Sequence, residues 1–246
     1  MIKFFRKIRQ KLLSENKISK YLIYAVGEII LVVIGILIAL QVNNWNINRI
    51  NYEKETFYLQ NLKIDLKNQS REIDKRLENA QEILTILDTI NSSYRKTGSY
   101  TKIEDFNKNL FQTLAAVDFE LHINTFNELN STGQIALIDN DKLRATILST
   151  FQNVIEASDI ITNNYKLVFY PNAFPVISSL IDFSYPSHLS LAIENKLNNI
   201  DTELKLSNAF VLDMLVLKVM ENELNELKPK VTELISLIES EIVKRN

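Results

Sequence analysis

A chain of 246 residues, 46% hydrophobic and 24% charged, has the composition of a folded protein with room for one sizeable domain and a small appendage, which excludes disorder as its default. It has no cysteine, which excludes disulfides, thiolate nucleophiles and cysteine-ligated metals. The formal net charge of -2 conceals an uneven distribution: residues 1 to 20 hold seven basic side chains against Glu15, a balance of +6, while the chain without that segment and Glu28 holds 21 basic and 28 acidic, a balance of -7.

Residues 1 to 20 read as a basic amphipathic cytoplasmic segment. Ile2, Phe5, Ile8 and Leu12 recur at helical spacing, with Lys3, Arg6, Lys7, Arg9 and Lys11 between them to contact an anionic inner leaflet. A plain basic flank accounts for the same charges, and both readings stay open. Either way, short loops rich in Lys and Arg remain on the cytoplasmic side of a spanning helix, so the N-terminus is expected inside and the remainder outside.

Tyr21 to Val42 is a run of 22 residues, about 33 Å as a helix, against a hydrocarbon thickness of about 30 Å. Fourteen of them are Ile, Leu or Val. Each contributes roughly -0.3 to -0.6 kcal/mol near the bilayer centre, whereas one acidic residue costs roughly 2.5 to 3.5 kcal/mol, so insertion wins despite Glu28. A cleavable signal peptide would have a shorter apolar core ending in small residues; here the exit reads Ala39, Leu40, Gln41, Val42, Asn43, which predicts an uncleaved signal anchor. Tyr21 and Tyr24 match the inner interface and Trp45 the outer one, where amphipathic rings settle.

Glu28 lies about 10 Å into this helix from Tyr21. Desolvation penalises an intramembrane carboxylate, so it is expected at a helix contact. Gly27, Leu31, Gly35 and Ala39 fall on one i, i+4 line beside it, a small-residue face on which a second helix can approach closely. That pattern predicts self-association or docking onto another membrane protein. Snorkelling toward the inner headgroups, or a role in insertion alone, are the competing readings of the same residue.

From Asn48 to Lys96 there is no Gly or Pro, and Leu59, Leu62, Leu66, Ile73, Leu77, Ala80, Leu84, Leu87 and Tyr94 form an apolar stripe at helical steps. Gln69 and Arg76 interrupt it, which favours one face of a bundle over a coiled coil. Gly98 is the expected stop. Thr101 with Glu104, and Thr125 with Glu128, have capping-box spacing and are expected to start the next two helices, with Gly133 ending the second. Ile135 to Ile138 is a brief apolar run compatible with an extended segment, for which no partner strand is evident. Asp139, Asn140 and Asp141 then cap a helix running to about Tyr170, with Leu143, Ile147, Phe151, Ile161 and either Val154 or Ile155 inward. The stretch around Pro171, Pro175 and Pro186 is too proline-rich for one continuous helix. Its aromatics Phe169, Tyr170, Phe174, Phe183 and Tyr185 either plug one end of the bundle, the favoured expectation, or form a pocket lip. Ser187 caps a helix reading to about Leu227 with a break at Asn198 and Asn199, and Pro229 kinks or restarts it.

Chemistry-bearing motifs are missing. His122 and His188 are not at metal-ligand spacing, the four glycines form no phosphate loop, and Ser187 beside His188 is explained by capping. Neither an enzyme nor a cofactor is expected, and the acidic remainder argues against nucleic acid.

The GEI, LVVIGILIALQ and NNWN elements in order from Gly27 to Asn46, followed by NTFNELNSTGQIALIDNDKLRATI at 124 to 147, resemble a family of single-span proteins of unknown function common in Bacteroidetes-type bacteria. The resemblance implies an inner-membrane protein with a periplasmic helical domain, and it implies no activity. Residues and resemblance together predict an all-α chain: a basic segment (1–20), a transmembrane helix (21–42) and a long-helix antiparallel bundle (43–246). The expected role is a membrane-anchored interaction or scaffold module contacting the lipid bilayer, and through its span a homo-oligomer or another membrane protein. The alternative is a ligand-sensing module signalling through a membrane partner.

Overall fold

The computed structural model describes residues 18–114, 119–184 and 189–244, with side chains from residue 22 onward. Residues 1–17 of the basic segment, with Lys3, Arg6, Lys7, Arg9 and Lys11, lie outside them, as do the Tyr21 side chain, Tyr185, Pro186, Ser187 and His188. Among the described residues every regular element is helical. The chain divides into two compact units, Met1–Glu55 and Thr56–Asn246.

Helix α1 (Ile18–Thr97) runs without proline through both units. Gly98 ends it at φ +67, and its amide donates to the Tyr94 carbonyl at 2.8 Å; a Cβ would strain that left-handed turn. The predicted stripe is inward: Leu59, Leu62, Leu66, Ile73, Ala80 and Leu87 are buried, with Leu77, Leu84 and Tyr94 packed against them.

Neither predicted capping box starts a helix. Thr101 lies inside a 3-10 turn (Tyr100–Lys102) that is capped by the Ser99 hydroxyl, and α2 (Phe106–Gln112) begins one turn later, behind Asp105 at φ 53. Helix α3 (Asn124–Ser131) places Thr125 within its first turn, and the Thr125 amide donates to Asp65 Oδ2 on α1 at 2.9 Å. A carboxylate from a neighbouring helix thus does what the local box was expected to do. Gly133, at φ 70, ends this region as predicted, but Gln134–Leu137 is a 3-10 turn rather than an extended run.

Helix α4 (Asp141–Asn164) starts where expected, with the Asn140 side chain accepting from the Leu143 amide at 3.1 Å. It buries Leu143, Ile147, Phe151, Val154 and Ile161. The chain then departs from prediction. Instead of breaking, it continues as a nine-residue π-helical segment, Tyr165–Ala173, with Pro171 inside, and passes into α5 (Phe174–Ser178). The wider register lets the Phe174 amide reach the Phe169 carbonyl five residues back.

Helix α6 (Leu191–Leu197) follows Ser190 rather than Ser187. The break at Asn198 and Asn199 stands, with Asn199 accepting from the Asp201 and Thr202 amides to open α7 (Ile200–Val243). Pro229 does not restart this helix. It and Asn225 are exposed, so the carbonyl that loses its amide partner faces water, while Leu227, Val231 and Leu234 hold the buried side.

In the second unit α7 packs on α4, the π segment, α5 and α6. Its polar links to α1 run in opposite chain order: Lys67 to Glu239 at 2.9 Å, Asp74 to Lys228 at 2.6 Å, Asn91 to the Met214 sulfur at 3.7 Å and Tyr94 to Glu203 at 3.3 Å. The links from α4 do the same, with Asn140 to Glu241 at 3.1 Å and Asn153 to Lys230 at 3.0 Å. Stacked Phe126 and Phe151, 4.7 Å between centroids, join α3 to α4 in the core.

Candidate functional site

In the first unit the apolar run is fully presented to its surroundings. Every residue from Ile29 to Lys54 is exposed, and the helix is long and apolar enough to cross a membrane, with mean hydropathy 2.7 in its most apolar window and none of that window buried. A core helix of the same composition would be covered on one face at least. Gly27, Leu31, Gly35 and Ala39 share one line of α1 and are all exposed, and a Cβ on either glycine would meet nothing within 4 Å. Glu28 beside them is half-buried. Tyr24 and Trp45 stand exposed on the same helix.

The second unit puts the two polar interruptions of the stripe to use. Gln69 is fully buried: its Nε2 donates to the Glu120 carbonyl at 3.3 Å and its Oε1 accepts from the His122 amide at 2.9 Å. The segment around residue 120 has no secondary structure, and the fully buried Gln69 amide would cost about 1 to 3 kcal/mol if left without partners, so the side chain and the segment's backbone satisfy one another. One turn on, the buried Glu72 receives Arg76 Nε at 2.5 Å and the Glu120 amide at 3.4 Å. Tyr58 and Asp65 extend the row, holding Glu128 and the Thr125 amide at 2.9 Å each. One polar edge of α1 therefore clasps residues 120 to 128. Asn107 on α2 repeats the device on the backbone of Asp182.

A second polar feature lies deeper. Asp213 on α7 is 2% exposed and Tyr165, which opens the π segment, is 4% exposed; neither Asp213 Oδ2 nor the Tyr165 hydroxyl has a hydrogen-bond partner among the described residues. Burial pushes the Asp213 carboxyl up to about 7, and burial together with the Asp213 charge raises the Tyr165 phenol well above its ordinary range. Sequence reading passed over both. The signal was present for Asp213, which occupies a core position between Phe210 and Val216 at helical spacing.

The aromatic connection is divided between the two expectations. Phe169 is buried, but Tyr170, Phe174 and Phe183 are exposed, so they do not plug the helices. Phe183 meets Phe111 edge to face at 6.1 Å, and with Ile83, Ile86, Leu114 and Phe174 they line an open groove of about 580 Å³. Among the described residues no group of three His, Asp or Glu side chains is placed to hold a metal ion.

Among the described residues, fold and site define an all-helical protein with one apolar helix long enough to cross a membrane. The chain belongs to a family of unknown function, DUF6090, whose model matches residues 28–165. That match takes in Glu28, the apolar run, the clasp and Tyr165. Neither the curated proteins nor the solved structures contain a match to the chain.

Proposed function

We propose that this protein is a membrane-anchored, non-enzymatic helical interaction or scaffold module. In this reading α1 spans the inner membrane of a Bacteroidetes-type bacterium once, with the basic N-terminus cytoplasmic and the second unit, an antiparallel bundle, in the periplasm. The apolar run from Ile29 onward carries the proposal, because its side chains are exposed throughout and water would not tolerate so long an apolar surface. The open line of Gly27, Leu31, Gly35 and Ala39 supports a helix contact in the membrane, with a second copy or another membrane protein. In-membrane cross-linking of single cysteines at residues 27 to 39 tests this. Discrete oligomers with reactivity peaking at 27, 31, 35 and 39, and lost in Glu28→Leu, are expected from a self-associating scaffold. Capture of a different protein would make the span a docking helix, and a uniformly unreactive monomer would reduce it to an anchor.

The open groove beside Phe111 and Phe183 favours a second reading, a ligand sensor that signals through a membrane partner. An apolar ligand is then expected to raise the melting temperature of the full chain in detergent, and Phe183→Ser to abolish the shift. A broad screen without any shift would remove the sensor reading.

A further inference from the structure

The open groove beside Phe111 and Phe183 does not end at Ile83 and Ile86. Glu82, Ile86 and Gln112 also line a second depression, of about 730 Å³, which continues along α1 to Leu77 and Glu78 and reaches Glu221 and Asn225 on α7. The stretch of α1 from Leu77 to Ile86 is about 14 Å long, and each depression falls within the roughly 300 to 1,000 Å³ of small-molecule sites. The two ends differ in chemistry. One is walled by Phe111, Phe174, Phe183 and Leu114; the other holds Glu78, Glu82 and Glu221. Among the described residues no Lys or Arg lines either end, and none of the three carboxylates forms an ion pair or a side-chain hydrogen bond. One turn earlier on α1 the pattern is different, since Asp74 has Lys228 of α7 opposite it at 2.6 Å. Where Glu78 and Glu82 line the depression α7 supplies Glu221 instead, although like charges four residues apart on one helix already repel.

We propose that this continuous groove binds an organic cation with an apolar body, its ammonium among Glu78, Glu82 and Glu221 and its apolar part against Phe111, Phe174 and Phe183. The inference rests on the sensor reading of the groove and names the ligand class for it. Charge selects the class. A neutral or anionic apolar molecule would fill the aromatic end and leave three like charges uncompensated, whereas a cation relieves their repulsion. The aromatic walls reinforce the choice, because ring faces attract an ammonium that comes within about 6 Å of their centres. Glu82 lines both depressions, so the carboxylates meet the rings at one place. A bare metal ion fits less well: among the described residues no three acidic side chains are placed to hold one, while an organic ammonium engages separated carboxylates through its charge and its several N–H groups.

The test is isothermal titration calorimetry on the full chain in phosphatidylcholine nanodiscs, with the heat of empty nanodiscs subtracted and three probes of similar shape: phenylbutylammonium, phenylbutanol and phenylbutyrate. Phenylbutylammonium is expected to bind about tenfold more tightly than phenylbutanol, the combined worth of an exposed ion pair and a cation–π contact, and phenylbutyrate most weakly. Glu78→Gln/Glu82→Gln is expected to lower the affinity for the ammonium to that for the alcohol and to leave the alcohol unchanged. Both side chains are exposed and unpaired, so the fold does not depend on them. Phe183→Ser is expected to weaken both probes. Equal binding of the ammonium and the alcohol overturns the cation, while the groove of the sensor reading stands. Binding of none of the three overturns the inference, and the sensor reading then falls or stands on its own broad screen. Ammonium binding that survives the double substitution unchanged overturns it as well. So does binding of a Lys- and Leu-rich amphipathic peptide alone, which would make the groove a protein-docking surface.

Discussion

Arg76→Met is expected to destabilise the second unit by about 3 to 5 kcal/mol, among the largest effects of any single change in the clasp. The Arg76 side chain is only 11% exposed and that of Glu72 8%, so removing Arg76 leaves an unpaired carboxylate largely shut away from water. The double variant Glu72→Leu/Arg76→Met removes both charges and is expected to recover most of the loss, since burying an ion pair and burying apolar groups of similar volume are often equivalent in free energy. The remaining deficit comes from the Glu120 amide, whose bond to Glu72 is long at 3.4 Å and worth about 1 kcal/mol. Urea unfolding of the full chain in detergent, followed by circular dichroism, measures all three proteins. Additive losses in the double variant would show that the two side chains act separately.

Asp213 should make the same unit less stable as pH rises. In the unfolded chain its carboxyl has an ordinary value of 3.8, and burial raises it to about 7 in the fold. Below about 3.8 both states carry the proton and there is no penalty. Between the two values the folded state retains a proton that the unfolded state has released, so stability falls with each pH unit; above about 7 both are ionised and the loss is complete. A separation of about three units at about 1.36 kcal/mol each sets the penalty at about 4 kcal/mol. Other carboxylates titrate over the same range, so the informative quantity is the difference between the unaltered chain and Asp213→Asn. That difference is expected to move in favour of the asparagine variant from pH 4 to pH 7 and to stay level from pH 7 to pH 8.5. A constant difference throughout would mean that Asp213 remains ionised in the fold, held by water or a cation.

The positions of the long helices were legible in the residues because period and punctuation are local properties. The apolar run of α1, the stripe from Leu59 to Leu87, the stop at Gly98, the cap at Asn140 and the break before Ile200 each depend on side chains within a turn or two of one another. Capping failed as a prediction for the complementary reason. An orphan amide is satisfied by whichever acceptor reaches it first, and at Thr125 that acceptor is Asp65, sixty residues away on α1. Pro171 and Pro229 read as breaks because the local cost of a missing donor is real; packing on α4 and α7, and a change of register at Tyr165, carry the chain past both.

The site residues divide along the same line. Length, hydropathy and charge determine the apolar helix and the line of Gly27, Leu31, Gly35 and Ala39 without any tertiary contact, since that helix is exposed along its whole apolar run. Gln69, Arg76 and Asp213 could be noticed in the sequence only as polar residues at apolar positions. Whether such a residue is a solvated interruption, a clasp on another backbone or a buried carboxyl depends on what stands opposite, and only the tertiary structure decides that: Glu120 and His122 face Gln69, Glu72 faces Arg76, and Asp213 Oδ2 has no hydrogen-bond partner among the described residues.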